Sequence, residues 1–136
     1  MATLDCQIVT PSGPAYQGPA EMVVVPGVEG ELGVLARHAP LMARLKPGEV
    51  RVRTDATSWT HYMTSGGYFQ VQRDVALVLV ANAVATEEID QAAAEADAAD
   101  ARRRLEAVEA GDESVDRSRA ERDLAWAETR LRGGRR

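Results

Sequence analysis

The chain has 136 residues, a formal net charge of −5 and a single cysteine, Cys6. The negative charge argues against nucleic acid as a partner, since phosphate binding requires a basic face. One cysteine permits no internal disulfide and no metal cluster, so Cys6 is predicted to be a small buried hydrophobe.

The apolar run from Val75 to Val80 is far shorter than the roughly 20 residues of a membrane span, and no signal-peptide pattern is found at the N-terminus. We therefore expect a cytosolic protein, or one peripheral to a membrane on its cytosolic side.

Strand patterns and turn signals fill the chain up to Ala85. Apolar and polar residues alternate from Leu4 to Val9 and from Val50 to Thr54, and a β-branched run follows Met22. Turn-forming Gly, Pro, Asp and Ser residues recur about every eight to twelve residues, which is typical of an all-β sandwich or barrel. We predict an N-terminal antiparallel β-sandwich over residues 1–85.

The segment from Pro26 to Leu41 predicts an exposed, charged tip. Three glycines at a spacing of three allow tight turns on both sides of a short strand, Glu31 to Leu35. Glu29 and Glu31 flank Gly30 at this tip. A charged tip on a rigid scaffold favours a docking point over a core element.

The composition changes after Ala85 to Ala, Glu, Asp and Arg, which indicates a second packing unit. We predict an antiparallel hairpin of two helices over residues 86–136. The residues expected to begin or end these helices are Thr86 as the first N-cap, Glu109 or Ala110 as the first end, Asp112 or Ser114 as the second N-cap, and Gly133 with Gly134 as the second end.

Small apolar residues recur at intervals of four and three in both predicted helices, as in an antiparallel coiled coil. They are Ala94, Ala98, Ala101, Leu105 and Val108 in the first helix, and Ala120, Leu124, Ala127 and Leu131 in the second. A second alanine-rich stripe, from Ile89 to Ala99, is expected to face the β domain. Alanine contacts bury little apolar area, and at about 25 cal/mol per Å² such docking is weak. A weakly docked hairpin is a candidate switch.

The sequence offers little support for catalysis. His38 and His61 are its two histidines. Neither has a Ser, Cys or acid at the spacing of a catalytic triad, a zinc site or a nucleophile elbow. We predict no catalytic residue, no metal site and no enzyme activity for this chain, and we expect Ser65-Gly66-Gly67 to form a β-turn and no anion-binding nest.

A basic cluster lies in the predicted hairpin and has two interpretations. Its members are Arg102, Arg103 and Arg104 on the first helix and Arg117, Arg119 and Arg122 on the second. Such a cluster is either salt-bridged helix surface, which is common, or an electrostatic docking site for an acidic partner.

The motifs above, taken in order, resemble the epsilon subunit of bacterial F-type ATP synthases along essentially the whole chain. The matching residues are Gly27, Glu29, Gly30, Glu31, Leu32, Gly33, Leu35, His38, Ala39, Pro40 and Leu41, then Leu45 to Gly48, Ser65 to Val71 and Ala85 to Asp90. The family commonly has Gly at the position that Arg37 occupies in this chain.

This resemblance implies a rotor subunit of the central stalk in a proton-translocating ATP synthase, peripheral to the cell membrane on its cytoplasmic side. The implied partners are the gamma shaft, the ring of c subunits and the catalytic alpha and beta subunits. Glu29, Gly30 and Glu31 are expected at the c-ring contact, and His38 with its turn is expected to support a shaft-facing edge. The hairpin is expected to leave the β domain and to press its arginines against acidic segments, thereby inhibiting ATP hydrolysis.

Some members of the family bind ATP through an I-D-x-x-R-A motif. In this chain Ile89 and Asp90 match the motif, but Ala93 replaces its arginine. The loss of this planar cation removes a partner for phosphate, so we expect ATP binding to be weak or absent. A nucleotide-sensing module remains the alternative function. A third possibility is a β domain with an oligomerisation hairpin, although the apolar seam can close within one chain.

Overall fold

The computed structural model describes residues 2–133 of the chain. Its contacts divide the chain into two compact units, Met1–Ala85 and Thr86–Arg136. The first unit is all β. Its strands are β1 (Leu4–Thr10), β2 (Gly13–Ala20), β3 (Met22–Gly27), β4 (Gly30–Leu35), β5 (Leu41–Leu45), β6 (Gly48–Arg53), β7 (Trp59–Thr64), β8 (Gly67–Gln72), β9 (Val75–Val80) and β10 (Ala83–Ala85).

These strands form one sheet in the order β10-β7-β6-β3-β5-β8-β9-β1-β2, with β4 paired to β3. The sheet turns from one layer to the other where β3 and β5 share a single pair, Gly27 with Leu45. At the opposite side, the Tyr62 hydroxyl donates to the Ala15 carbonyl oxygen at 3.2 Å. The predicted β-sandwich is confirmed, with one exception to its antiparallel pairing, because β1 and β9 are parallel.

The core lies between the two layers and follows the alternation of each strand. Ile8, Val25, Val52, Phe69 and Val78 are fully buried. Cys6 is buried among them, as predicted, and this burial raises the pKa of its thiol to about 12. The thiol is therefore a packing group and is not ionised near neutral pH.

Strand β6 shows the alternation most clearly. Val50 and Val52 point inward and are fully buried. Arg51 and Arg53 point outward, and their guanidinium carbons lie 6.0 and 5.9 Å from the ring centre of Trp59 on β7. One face of this layer is thus apolar core, and the other is charged.

Ser65 and Gly66 form a short connection between β7 and β8, with a bend at Gly66. The Ser65 backbone N–H donates to the Asn82 carbonyl oxygen at 3.0 Å, and the Asn82 N–H returns a bond to Ser65 Oγ at 2.9 Å. A Cβ on Gly67 would collide with the carbonyl oxygen of Leu79 on the neighbouring strand. Glycine is needed here because two backbones approach each other closely.

The second unit begins with a 3₁₀ turn, Thr86–Glu88, followed by α1 (Gln91–Glu109) and α2 (Arg117–Gly133). The prediction of Thr86 as the first N-cap is wrong. Asp90 caps α1, since its carboxylate accepts from the Ala93 N–H at 3.0 Å. The extra 3₁₀ turn moves the helix start towards the next residue with a capping carboxylate.

The predicted caps at Asp112 and Ser114 are also wrong, because Asp116 caps α2 and accepts from the Arg119 N–H at 3.1 Å. The Asp112 carboxylate is engaged within the turn, where it accepts from the Ser114 N–H at 2.9 Å. Gly111, at φ 99°, ends α1 as predicted. The predicted stop at Gly134 lies outside the described residues.

The seam between α1 and α2 is built mainly from alanine. Ala94, Ala98 and Ala101 are buried against Ala120 and Ala127. The other predicted seam residues, Leu105, Val108, Leu124 and Leu131, are half-buried. Thr129 is also buried, although it was not among the predicted seam residues. Its hydroxyl donates to the Ala125 carbonyl oxygen at 2.7 Å.

Candidate functional site

The tip predicted at Pro26 to Leu41 is a tight hairpin between β3 and β4. Gly27 pairs with Gly30, so the loop consists of Val28 and Glu29 alone. Gly30 has φ 136°, which a residue with a Cβ rarely adopts. The tip is exposed, and it is braced from behind because the Val28 N–H donates to the Arg44 carbonyl oxygen at 3.0 Å.

Glu31 follows Gly30 and lies in the strand that was predicted from Glu31 to Leu35. It belongs to β4 and pairs with Pro26 across the hairpin. Its carboxylate accepts from Arg51 Nη2 at 2.9 Å on the outer face of the sheet. The free acid of the tip is therefore Glu29, for which the described residues show no ion pair.

The loop that carries His38 is held in an unusual backbone conformation. Arg37 has φ 66°, the left-handed region that glycine prefers. The Asp74 carboxylate holds this conformation by accepting from the Arg37 N–H at 2.6 Å. The loop thus keeps the shape that a glycine would give it, at the cost of backbone strain. His38 is exposed, and its Nδ1 lies 2.7 Å from the Ala39 carbonyl oxygen.

The tip and the His38 loop lie at opposite ends of β4. This strand has six residues, which corresponds to roughly 20 Å of extended chain. The structure therefore does not bring Glu29 and His38 together in one site. Glu29 and His38 would therefore contact different partner surfaces.

Sequence patterns did not predict an exposed apolar face on the layer formed by β5, β8, β9 and β1. Cross-strand register places Tyr68 beside Leu79, and Leu79 beside Val9. Met42, Tyr68 and Leu79 are 71%, 54% and 42% exposed. We call Val9, Met42, Tyr68, Leu77 and Leu79 the apolar face.

The apolar face continues into a hollow at the tip end of the sandwich. The hollow has a volume of about 430 Å³ and is lined by Val9, Pro11, Gly67, Leu79, Val80 and Ala81, among others. Exposed apolar surface of this kind marks protein interaction sites more often than scattered single residues do.

The six predicted basic residues differ in their contacts. Arg104 bonds Asp100 and Asp123, both at 3.0 Å, whereas Arg103 bonds Asp100 of its own helix at 3.1 Å. Arg102 lies 3.7 Å from Glu128, and Arg117 lies 4.0 Å from Glu121. Arg119 and Arg122 have no side-chain ion pair within residues 2–133.

The charged forms of this network stabilise each other. The hydrogen bond from Arg103, with the charge of Arg104, lowers the pKa of Asp100. The hydrogen bond to Asp123 raises the pKa of Arg104. Both groups therefore stay ionised throughout the physiological range.

Of the residues considered for nucleotide binding, Ile89 is half-buried and Asp90 serves as the α1 cap. Ala93, at the position of the missing arginine, donates its backbone N–H to that cap. Between residues 2 and 133, no three His, Cys, Asp or Glu side chains come together to hold a metal ion. None of the described helices is both long and apolar enough to cross a membrane.

Comparisons with known proteins agree on one family. Residues 3–86 match the family model for the ATP synthase delta/epsilon chain, β-sandwich domain. ATP synthase epsilon chain 1 of Methylococcus capsulatus is 44% identical over 93 residues, which cover 68% of this chain and 66% of that protein. The epsilon chain of Acidithiobacillus ferridurans is 45% identical over 103 residues, covering 74% and 72% respectively.

A solved structure is similar over nearly the full chain. It is the mitochondrial ATP synthase of Euglena gracilis, described as its OSCP/F1/c-ring assembly, in which the matching chain is 27% identical with a TM-score of 0.74. The match covers 95% of this chain and 79% of that one.

Replacing Arg37 with glycine should stabilise the β unit. Glycine relieves the left-handed strain and loses more entropy on folding, so we expect a net gain of about 0.5–1 kcal/mol in the free energy of unfolding. Urea unfolding of the full chain, followed by Trp59 fluorescence in a Trp126→Phe background, measures it. Ala36→Gly is the matched control, because φ at Ala36 lies outside the positive range, and it should lose about 0.5–1 kcal/mol. Equal losses in both variants would contradict the strain argument.

Proposed function

The chain belongs to the delta/epsilon chain family of ATP synthases, and from this membership we propose that it is a rotor subunit that couples c-ring rotation to ATP synthesis. The resemblance seen in the sequence to the epsilon subunit is thereby confirmed. In the proposed role the chain itself carries no catalytic step. It stands peripheral to the cell membrane on the cytoplasmic side, held there by its protein partners.

The apolar face is the observation that supports docking of the β unit on the gamma shaft. A stable interface buries about 800 Å² on each partner and is dominated by a few apolar or aromatic anchors. Tyr68 and Leu79 lie side by side on adjacent strands and supply such anchors. The hollow beside Leu79 offers space for an apolar side chain of the shaft. The His38 loop leads directly into β5 and Met42, so His38 is proposed to border this interface.

The tip at Val28 and Glu29 is proposed to contact the c-ring. It projects from a two-residue hairpin loop and is braced by Arg44, so it offers a small, stiff contact point. Gly30 contributes the backbone angle that makes the loop possible. Glu31 supports the tip indirectly, through its ion pair with Arg51.

The hairpin is proposed to regulate ATP hydrolysis by docking its arginines on acidic segments of the catalytic subunits. Arg103 is exposed and bonds only within its own helix, and Arg119 and Arg122 are free of ion pairs in the described part of the chain. These cations are available to an acidic surface at little cost.

The alternative, a hairpin that closes on ATP, has less support. Asp90 is committed to capping α1, and Ala93 offers no cation for phosphate. An oligomerisation hairpin is also disfavoured, since α1 and α2 bury their alanine seams against each other within one chain.

The apolar face is tested by Leu79→Ala, which should weaken binding of the full chain to purified gamma subunit by roughly tenfold or more, as for an interface anchor. Leu35→Ala is the matched control, since Leu35 is 53% exposed but lies on the outer face of β4 in the other layer. Surface plasmon resonance gives both dissociation constants. If the two variants weakened gamma binding equally, the apolar face would not be the gamma-binding surface.

The tip is tested by Glu29→Ala in the assembled synthase. We expect lower ATP synthesis per proton moved, because a c-ring contact is lost, while the subunit still assembles. Glu31→Ala should act differently, since it breaks the ion pair with Arg51 within the domain. Synthesis and proton uptake in reconstituted vesicles measure the effect, and normal coupling in Glu29→Ala would refute the tip contact.

The regulatory role is tested by truncating the chain after Thr86. If the hairpin inhibits hydrolysis, the truncated chain should still assemble and ATP hydrolysis by the complex should rise. Circular dichroism checks that the β unit stays folded. Unchanged hydrolysis with full assembly would refute the inhibitory role and would favour a structural or nucleotide-sensing hairpin.

A further inference from the structure

An arginine without an ion pair borders the apolar face. Arg44 is exposed on β5, and within residues 2–133 no carboxylate pairs with its guanidinium. Strand register places it directly opposite Tyr68 on β8, and Tyr68 directly opposite Leu79 on β9. Side chains that oppose each other across antiparallel strands are neighbours on one face of the sheet. Arg44, Tyr68 and Leu79 therefore form a row across three strands, with a cation at one end and an apolar anchor at the other.

Arginines on the other layer of the sandwich are treated differently. Arg51 and Arg53 on β6 also lie beside an exposed aromatic ring. Arg51 bonds Glu31 at 2.9 Å, and Arg53 lies 3.6 Å from Glu21. The chain has a net charge of −5, so acids are not scarce. It supplies them to the arginines of β6, but among the described residues it supplies none to the arginine of β5.

The other acids around the apolar face are committed elsewhere or lie beyond it. The Asp5 carboxylate accepts from a side chain of its own strand at 2.7 Å, and the Asp74 carboxylate holds the His38 loop at the far end of the sheet. Glu29 is at the tip, which contacts Arg44 through a backbone hydrogen bond from Val28. The guanidinium of Arg44 is therefore open to an acid from another molecule.

A partner that covers the apolar face also covers Arg44. Tyr68, which must be buried to serve as an anchor, is the cross-strand neighbour of Arg44. Removing a cation from water without an opposing charge is costly, whereas a well-placed carboxylate offsets this cost. Partners without an acid at this place are therefore disfavoured, because they leave Arg44 buried and unpaired.

The row also fixes a spacing for the partner. Neighbouring strands lie about 4.8 Å apart, so Arg44 and Leu79, with β8 between them, are about 10 Å apart. The hollow of about 430 Å³ beside Leu79 lies at the end of the row away from Arg44. A matching segment presents a carboxylate and an apolar side chain about 10 Å from each other.

We propose that Arg44 is the specificity-determining residue of the apolar face, and that it selects a protein segment that carries a carboxylate beside an apolar side chain. Arginine suits this task, since its planar guanidinium bonds both oxygens of a carboxylate. That the segment belongs to the gamma shaft rests on the proposed function, whereas the selection for an acid does not.

The carboxylate is tested by placing an amine at position 44. Lys46 is the single lysine of the sequence, so Arg44→Lys in a Lys46→Arg background leaves one lysine amine. A water-soluble carbodiimide joins this amine to a carboxylate in contact with it as an amide, and the carbodiimide takes up the water that is lost. We expect the full chain to cross-link to purified gamma subunit at one Asp or Glu, which mass spectrometry identifies.

Arg53→Lys in the same Lys46→Arg background is the matched control. It places the same amine beside an aromatic ring of the other layer, where Glu21 of the chain itself is the neighbouring acid. This control should give no cross-link to gamma. Equal cross-linking to gamma at the two positions, or none at position 44 in a complex that still forms, would overturn the proposal.

The contribution of the pair to binding is tested with Arg44→Gln. We expect binding to gamma to weaken by roughly tenfold or more and the remaining binding to depend less on salt, because ions screen a charged pair. Arg53→Gln should leave gamma binding unchanged. Surface plasmon resonance measures both variants beside Leu79→Ala. If Leu79→Ala weakens binding and Arg44→Gln does not, the selection for an acid fails and docking on the shaft stands.

A probe that does not need gamma separates the two proposals. A copolymer of glutamate and tyrosine is added to the ¹⁵N-labelled full chain, with a copolymer of lysine and tyrosine as the control, and amide signals are followed by NMR. The glutamate copolymer should shift the signals of Arg44 and Tyr68 more than that of Arg53, and the lysine copolymer should not shift that of Arg44. If this holds and gamma does not bind, docking on the shaft fails and the selection stands. Equal shifts at Arg44 and Arg53 would overturn the selection.

Discussion

The β unit depends on the parallel pairing of β1 with β9, because this pairing joins strands that are distant in the chain. The register runs from Asp5 with Val75 to Val9 with Leu79. It is set at one end by the Asp5 N–H, which donates to the Asp74 carbonyl oxygen at 2.8 Å. The apolar face follows from this register, since Val9 and Leu79 become neighbours only when β1 lies beside β9. A one-residue slip would turn these side chains towards the core.

The two ends of the sandwich are built differently. The tip end is shaped by glycine and proline turns. At the other end, three non-glycine residues, Arg37, Arg73 and Asp74, have left-handed φ angles of 66°, 53° and 59°. Such angles persist only where surrounding contacts enforce them. Asp74 supplies these contacts through its carboxylate and its carbonyl oxygen, so the loop before β5 and the start of β1 are held together.

Local features could be predicted from the sequence, and features that depend on partners distant in the chain could not. The alternation in β6 and the spacing of the alanine seam are properties of one segment, and both were found where predicted. The strand from Glu31 to Leu35 was found where predicted, whereas the ion pair of Glu31 with Arg51 depends on cross-strand register and was not predicted. The cap at Thr86 was wrong because Asp90, one turn later, offers a carboxylate at the right geometry. The apolar face and the ion pairs between helices arise from cross-strand and cross-helix register, for which the sequence carried no signal.

Three helix ends in the hairpin have their hydrogen bonds supplied by residues of the hairpin itself. Asp90 and Asp116 cap their N-termini. The C-terminus of α1 is closed by bonds from the Gly111 N–H to Val108 and from the Asp112 N–H to Ala107. These three helix ends are therefore satisfied by hydrogen bonds within the hairpin itself. In the proposed regulatory role, a partner can shift the hairpin between two states only by its differential affinity for them.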